Sequence, residues 1–409
     1  MAEGAEVDKA TTDVGATPLH LASENGKVEC AQILIENGAG VDRSRSIDGA
    51  TPLLLASKNG HVECARLLLE KGAEVDKATT EVGWTPLHLA SQNGFVECMR
   101  HLMEKGAEVD RATTDNGATA LHLASWNGRV ECAQILIAKG AEVDKTTTDV
   151  GATPLHLASQ NGKVECAKLL IEKEADQARG EVLLEARDGE QSAEATGNPT
   201  ENDCVQLFIE TGADVNEVTT NNGASPLHLA SQNGHVDCAR LLIAKGAEVD
   251  EATTDDGSTS LQLASQNGHV ECVRLLIEAG AQIDKARSDN GATPLQLASL
   301  KGRVECARLL VASGVDVNTA TTNGGMTSLH LASQNDHIEC VRFLISKGAD
   351  VRATTYQRHT PRFLARMPEI RGLLLKAEAI SHIRCWRTWR QQTSSFRDDG
   401  KRFAFSRLA

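Results

Sequence analysis

The sequence has few aromatic residues and no long apolar run. Phe, Trp and Tyr make up 3% of its 409 residues, so any core must rely on Leu, Ile, Val, Ala and Cys. It begins MAEGAEVDK, which is acidic and polar, whereas a secretory signal needs a basic start and an apolar stretch. No segment approaches the roughly 20 apolar residues that cross a bilayer. We therefore expect a soluble intracellular protein, located in the cytoplasm, with the nucleus as the alternative.

The motifs of common active sites are also missing. The sequence contains no phosphate loop of the form GxxxxGK(S/T), no HExxH, no GxSxG and no calcium-binding loop. No CxxC pair occurs, so the usual spacing of a zinc site is absent. The sequence therefore predicts no catalytic residues, no metal site and no cofactor, and it argues against an enzyme.

Eleven cysteines suggest a disulfide framework at first, but their spacing is regular. Ten of them form two series with a spacing of 34 residues, one from Cys30 to Cys166 and one from Cys204 to Cys340. So regular a spacing indicates that each cysteine marks the same position in a repeated unit. If such units stack like packed helices, equivalent cysteines would lie about 8–10 Å apart, whereas a disulfide needs Cα atoms about 4.4–6.8 Å apart. We therefore predict one buried, structural cysteine in each repeat.

Charge is divided unevenly along the chain. Residues 351–409 hold 13 basic and 4 acidic residues, a net charge of +9. Residues 1–350 hold 29 basic and 52 acidic residues, a net charge of −23. An acidic body of this size should repel nucleic acid and anionic membrane along its length. Only the last 59 residues could attract either of them.

The segment Gly83–Asp110, GWTPLHLASQNGFVECMRHLMEKGAEVD, shows how one repeat is built. Thr85 is placed to cap a helix, and Pro86 then occupies the first helical position. Gly94 ends this short helix, and a second helix follows, with apolar residues at helical spacing. The extended segment after Gly106 leads to the next copy. Two short helices and a projecting hairpin therefore form one unit, which can bury its apolar face only against a neighbour.

The phrase TPLHLA, repeated with a period near 34 residues, resembles the ankyrin repeat. Its copies begin at Thr17, Thr51, Thr85, Thr119, Thr153, Ser225, Thr259, Thr293 and Thr327. The resemblance implies about ten repeats in an all-α solenoid of helix-turn-helix units with projecting β-hairpin loops. It also implies that the histidine of TPLH hydrogen-bonds within its repeat. Protein partners of this family usually lie against the concave surface formed by hairpins and first helices.

The repeats divide the chain into five segments. Residues 1–172 form a first block of repeats, and residues 213–350 form a second block. Between them, 173–212 is a degenerate repeat with a four-residue insertion, since QSAEATG stands where TPLHLAS is expected. We expect a weak joint there because the lost leucines would each contribute about 1.5–3 kcal/mol. Residues 351–376 are predicted to be a C-terminal capping repeat, followed by a basic tail, 377–409, that is either helical or disordered.

Departures from the common phrase are the candidates for partner contacts. Most copies have Ala before TPLH, and Gln, Glu or Lys after LAS. The candidate residues are Trp84, Phe95, Trp126, Leu300 and Met326. Trp84 and Trp126 stand in adjacent repeats at positions that the family exposes, and exposed tryptophans are frequent binding hot spots. The alternative is sequence drift in duplicated copies, with both rings packed on their neighbours.

The basic tail is the other feature outside the repeats. Its candidate contact residues are Arg384, Trp386, Arg387, Trp389 and Arg390. A basic amphipathic helix with tryptophan suits calmodulin, an anionic membrane surface or the acidic groove of a partner. The alternative, which we favour, is a capping helix followed by a disordered end.

Taken together, these features predict a non-catalytic scaffold or adaptor that binds a protein partner on the concave surface of the repeats. Solenoids suit this role because their surface side chains can change without disturbing the core. The runner-up is a targeting adaptor, whose repeats hold one partner while the tail recruits calmodulin, a membrane surface or a ubiquitin ligase. Deletion of 377–409 separates the two, since a simple scaffold would keep its binding and its localisation.

Overall fold

The computed structural model describes residues 6–171 and 215–380. The chain divides into two units, residues 1–255 and 256–409. In both units the described residues form short helices joined by turns and loops, and they contain no β-strand. The prediction of an all-α repeat fold is therefore confirmed. No helix in the described ranges is both long enough and apolar enough to span a bilayer.

Helices come in pairs, one pair for each repeat. The pairs described in the first unit are α1 (Pro18–Glu24) with α2 (Val28–Glu36), α3 (Pro52–Lys58) with α4 (Val62–Glu70), α5 (Pro86–Asn93) with α6 (Val96–Glu104), α7 (Ala120–Asn127) with α8 (Val130–Ala138), α9 (Pro154–Gln160) with α10 (164–171), and α11 (Pro226–Asn233) with α12 (Val236–Ala244). Those described in the second unit are α13 (Ser260–Asn267) with α14 (Val270–Glu278), α15 (Pro294–Leu300) with α16 (Val304–Ala312), α17 (Ser328–Gln334) with α18 (Ile338–Ser346), and α19 (Pro361–Leu364) with α20 (368–380).

Local sequence signals set the ends of the first helix in each pair. In α5, Thr85 Oγ1 accepts a hydrogen bond from the backbone N–H of His88, and Pro86 sits in the first turn, where its missing N–H costs nothing. The helix ends at Gly94, which has the left-handed conformation with φ of 86°. A residue without a Cβ adopts this conformation without strain. Helix α6 begins two residues later, as the sequence predicts.

The loops between repeats are closed by one or two backbone hydrogen bonds rather than by paired strands. Thr79 donates its backbone N–H to Trp84 O at 3.0 Å, and this bond closes one loop. Neighbouring loops are also joined, since Thr114 donates its N–H to Val82 O at 3.0 Å. In the described part of the second unit, one isolated antiparallel bridge links Ala320 and Thr327. The predicted β-hairpins are therefore narrow turns in which no strand of regular length forms.

The core of each unit lies between the helices of adjacent repeats. First helices pack on the first helices of the next repeat, and second helices pack on second helices. In the third repeat, Leu87, Cys98, Met99 and Leu102 are at most 1% exposed. Apolar burial is therefore shared across each repeat boundary, as expected for units that cannot fold alone.

The repeats on either side of residues 172–214 pack directly on each other. His156 Nε2 lies 3.1 Å from Ala224 O, which reproduces the 3.1 Å contact between His122 Nε2 and Ala152 O in the preceding pair. Helix α9 packs on α11 just as α7 packs on α9. The two repeats are therefore in direct contact, and the weak joint expected between them stays a prediction. Residues 173–212, the predicted degenerate repeat, lie outside the described residues, and that boundary stays a prediction.

Helices α19 and α20 end the described part of the second unit. Ala365, Ile370 and Leu374 are fully buried, whereas Phe363 and Leu375 are 66% and 54% exposed. The helix pair therefore has one buried face and one largely exposed face, on which Phe363 stacks against His359. Helix α20 also continues past residue 376, where we expected the basic tail to begin, to the end of the described range.

Candidate partner-binding surface

In most of the described repeats, a buried histidine joins the loop to the helix that follows it and to the next loop. His88 Nδ1 lies 3.1 Å from the backbone N of Thr85 and 2.7 Å from its Oγ1, while His88 Nε2 lies 3.2 Å from Ala118 O. A neutral ring with its hydrogen on Nε2 satisfies both sides, because it accepts from the Thr85 N–H and donates to the Ala118 carbonyl. The resemblance implied the bond within the repeat. The structure adds a second bond, which crosses to the next repeat.

Burial keeps these histidines neutral. Desolvation lowers the pKa of His88, His122 and His156 to about 4. Their side chains are at most 1% exposed, so no solute reaches the rings. We therefore assign these histidines to the fold rather than to proton transfer.

The repeat cysteines are buried in the same way. Cys98 and Cys132 are at most 1% exposed, and burial raises the pKa of each thiol to about 11. Both are protonated at neutral pH, whereas a nucleophile or a metal ligand must be a thiolate. All cysteines in the described ranges are free, and Cys30 in the first repeat is exposed. In those same ranges, no three His, Cys, Asp or Glu side chains cluster in a way that could hold a metal ion.

The two predicted tryptophans lie on a surface formed by loops and first helices of the first unit. We call this the groove surface, and it comprises the loops 45–50, 79–84, 113–118 and 147–152 together with helices α3, α5, α7 and α9. Two grooves cross it, one beside each predicted tryptophan. We call them the Trp84 groove and the Trp126 groove.

The Trp84 groove lies between the second and third repeats and has a volume of about 380 Å³. Trp84 is half-buried, and it packs against Ala50, Leu54, Leu55 and Leu89. The charged and amide side chains that line the groove are Arg45, Asp48, Lys58, Glu81 and Gln92. Trp84 therefore contributes both to the core and to the wall of the groove.

The Trp126 groove lies between the fourth and fifth repeats and has a volume of about 360 Å³. Trp126 is 42% exposed, so it does not belong to the core. Asp149 stands on the loop side of the groove, and Gln160 stands on the helix side. Gln92 lines both grooves, and this shared residue makes them neighbours on one surface. The structure therefore brings the two predicted tryptophans onto the same face.

The other three predicted contact residues occupy different places. Phe95 is half-buried at the turn between α5 and α6, where its ring packs directly over Gly60 of the preceding repeat. It does not line either groove. Leu300 and Met326 are half-buried residues of the second unit, at the positions equivalent to Trp126 and Trp84. A role of these three residues in partner binding stays a prediction.

Sequence reasoning missed the polar residues that line the Trp126 groove. Gln92, Asn116 and Asp149 are among them. Such residues occur at the same positions in several copies, so they carry no signal of their own in the sequence. Only the fold places them beside an exposed tryptophan.

Models of a known protein family match most of the chain. A model described as ankyrin repeats (3 copies) matches residues 1–79, 76–147, 192–287 and 284–355, and a model described as ankyrin repeats (many copies) matches residues 128–171. The chain belongs to the ankyrin-repeat family. A comparison with curated proteins gave no match. Among solved structures, the crystal structure of the human ASB11 ankyrin repeat domain matches with 28% sequence identity and a TM-score of 0.47, over 64% of this chain and 98% of that chain.

Ankyrin repeats are generally protein-interaction modules, and membership of the family agrees with a scaffold role. The predicted tail contacts of this ankyrin-repeat chain are Arg384, Trp386, Arg387, Trp389 and Arg390. All five lie outside the described residues. Their recruitment of calmodulin, a membrane surface or a ubiquitin ligase stays a prediction.

Proposed function

We propose that this ankyrin-repeat chain is a non-catalytic scaffold or adaptor that binds a protein partner on the groove surface. The observation that carries the proposal is the pair of tryptophans in adjacent repeats. Trp84 forms the wall of one groove, and Trp126 is 42% exposed in the next. Tryptophan offers about 150–250 Å² of area for burial and is the residue type most typical of binding hot spots.

The position of Trp126 supports this proposal because packing does not account for it. The equivalent residues of the neighbouring repeats are Lys58, Gln92 and Gln160, so the fold accepts a polar side chain there. A large apolar ring left 42% exposed gains from a partner that removes it from water. The free cysteines fit a reducing compartment, and we place the protein in the cytoplasm or the nucleus.

The test compares two double variants of the full chain by quantitative affinity purification and mass spectrometry. Trp84→Ala with Trp126→Gln removes both rings, and each new residue already occurs at the same position in another repeat, as Ala118 and Gln92. Arg66→Ala with Arg100→Ala is the control, since these side chains are 48% and 46% exposed on second helices. We expect the first variant to lose its partners at least tenfold and the second to retain them. Equal recovery with both variants would refute the proposal.

Two further measurements make this test interpretable. Urea unfolding should show that Trp126→Gln changes stability by less than about 0.5 kcal/mol, whereas Trp84→Ala costs about 1–2 kcal/mol because its ring is partly packed. A chain ending at residue 380 should keep the same partners as the full chain. Loss of partners or of localisation in that shortened chain would favour the targeting adaptor instead.

A further inference from the structure

We infer that the partner segment is basic and that it places an arginine side chain between Trp126 and Asp149. This inference rests on the proposed function, because it names the chemistry of the partner at the same surface. It follows from the exposed ring, from the charges that surround it and from the groove that contains both residues.

The groove holds an indole ring and one carboxylate. Trp126 is 42% exposed, and Asp149 lines the same groove from the loop side. Asp149 Oδ1 accepts a hydrogen bond from the backbone N–H of Val150 at 2.7 Å, which fixes the carboxylate beside the groove. Among the described residues, Asp149 forms no ion pair.

The surrounding charges favour a cationic guest. Asp149 is the one charged residue in the described lining of the Trp126 groove. In the neighbouring Trp84 groove, Arg45 Nε donates to Asp48 Oδ1 at 3.1 Å, and the charges of Lys58 and Glu81 offset each other, so that groove adds no net positive charge. The exposed loop tip at Asp115 adds to the negative charge of the surface. Fixed charges of one sign raise the local concentration of oppositely charged groups.

Arginine fits this arrangement better than other side chains. Its planar guanidinium stacks on an indole ring by a cation–π contact, and its fork of N–H donors pairs with a carboxylate. A purely apolar side chain would cover Asp149 without pairing it, and burying an unpaired charge is costly. An acidic segment would add repulsion. Lysine satisfies the charge, but it stacks less well on the ring.

The test selects peptides from a phage-displayed random library of 12-residue sequences on the full chain. We consider only those peptides that bind the wild-type chain and do not bind the double variant Trp84→Ala, Trp126→Gln. We expect them to be enriched in arginine, and the enrichment should fall on the Asp149→Asn variant. Asn221 occupies the equivalent loop position in a later repeat, so this substitution keeps the turn.

A synthetic copy of one selected peptide gives the quantitative measurement. Replacing its arginine by citrulline, which is neutral and nearly the same shape, should weaken binding to the wild-type chain roughly tenfold. On Asp149→Asn the same replacement should have a much smaller effect, since the two changes remove one interaction. Asp13→Asn is the matched control, because Asp13 caps the equivalent loop of the first repeat. It should bind both peptides as the wild type does.

The outcomes separate the inference from the proposed function. Selected peptides that need the tryptophans but show no enrichment in arginine would overturn the inference and leave the proposed function standing. An equal effect of citrulline on the wild type and on Asp149→Asn would do the same. A selection that yields no peptide dependent on Trp84 or Trp126 would overturn the proposed function and the inference together.

Discussion

Histidine and glutamine are interchangeable at one buried position of this chain. In the eighth repeat, Gln262 Oε1 accepts the backbone N–H of Thr259 at 2.8 Å, and Gln262 Nε2 donates to Ala292 O at 3.1 Å. These are the bonds that His88 makes with Thr85 and Ala118 in the third repeat. Glutamine therefore reproduces the hydrogen bonds of the neutral ring without a group that titrates near neutral pH.

The histidines should make the chain sensitive to mild acid. His88, His122 and His156 have a pKa of about 4 in the folded chain and of about 6.5 when unfolded. The unfolded chain therefore binds more protons below pH 6.5, and stability falls as the pH drops from about 6.5 towards 4. Between pH 7 and pH 5 we expect each histidine to cost about 2 kcal/mol, measured by urea unfolding at both values.

The triple variant His88→Gln, His122→Gln, His156→Gln is the control for this prediction. It should keep the hydrogen bonds and lose less stability than the wild type between pH 7 and pH 5. If both chains lost the same free energy of unfolding, the acid sensitivity would have to come from other groups, such as carboxylates.

At the scale of the helix, burial depends on the neighbouring repeat more than on the helix itself. Helices α2 and α4 have nearly the same sequence, VECAQILIE and VECARLLLE. Cys64 and Leu67 of α4 are 0% and 7% exposed, whereas the equivalent Cys30 is exposed and Ile33 is 51% exposed. The difference comes from packing, since no described residue covers that face of the first repeat.

Two substitutions that shorten a side chain measure this dependence of burial on the neighbouring repeat. Leu67→Ala should cost about 2–4 kcal/mol in urea unfolding, because it leaves a cavity between two repeats. Ile33→Ala should cost less than about 1 kcal/mol, because half of that side chain is already in water. Equal losses would show that another surface covers Ile33 in solution.

Local signals account for what the sequence could predict, and contacts between repeats account for what it could not. Thr85 and Gly94 define the ends of a helix by their own chemistry, so the helix pairs could be predicted from one copy. The placement of Phe95 over Gly60 could not, because it joins two repeats. The half-burial of Trp84 likewise depends on Leu54 and Leu55 of the preceding repeat. The bonds that join neighbouring loops, such as that from Thr114 N–H to Val82 O, likewise could not be predicted from one copy.

At the scale of the whole chain, one pair of repeats that pack on each other is separated by more residues in the sequence than the preceding pair. The contact of His156 with Ala224 O spans 68 positions, whereas that of His122 with Ala152 O spans 30, so 38 residues are added within this step. Removal of 173–210 would join the chain as LLIETGADVN, which matches LLLEKGAEVD at 67–76. The family match that begins at residue 192 favours an integral repeat there, while the direct contacts favour a stack that closes without it.

Deletion of 173–210 decides between these two interpretations. The shortened chain restores the 34-residue period, and every described contact between α9 and α11 remains available. We therefore expect its free energy of unfolding in urea to stay within about 1 kcal/mol of the wild type, because the deletion removes none of the described core. Deletion of 83–120 is the matched control, since it removes the same number of residues. It takes away a helix cap at Thr119, and it shifts the later repeats by four positions relative to the 34-residue period. That chain should lose several kcal/mol. If the chain without 173–210 were destabilised as much as the control, the segment would be a supporting member of the stack. A repeat that is present but weakened by its lost leucines would then explain the sequence better than a stack that closes without it.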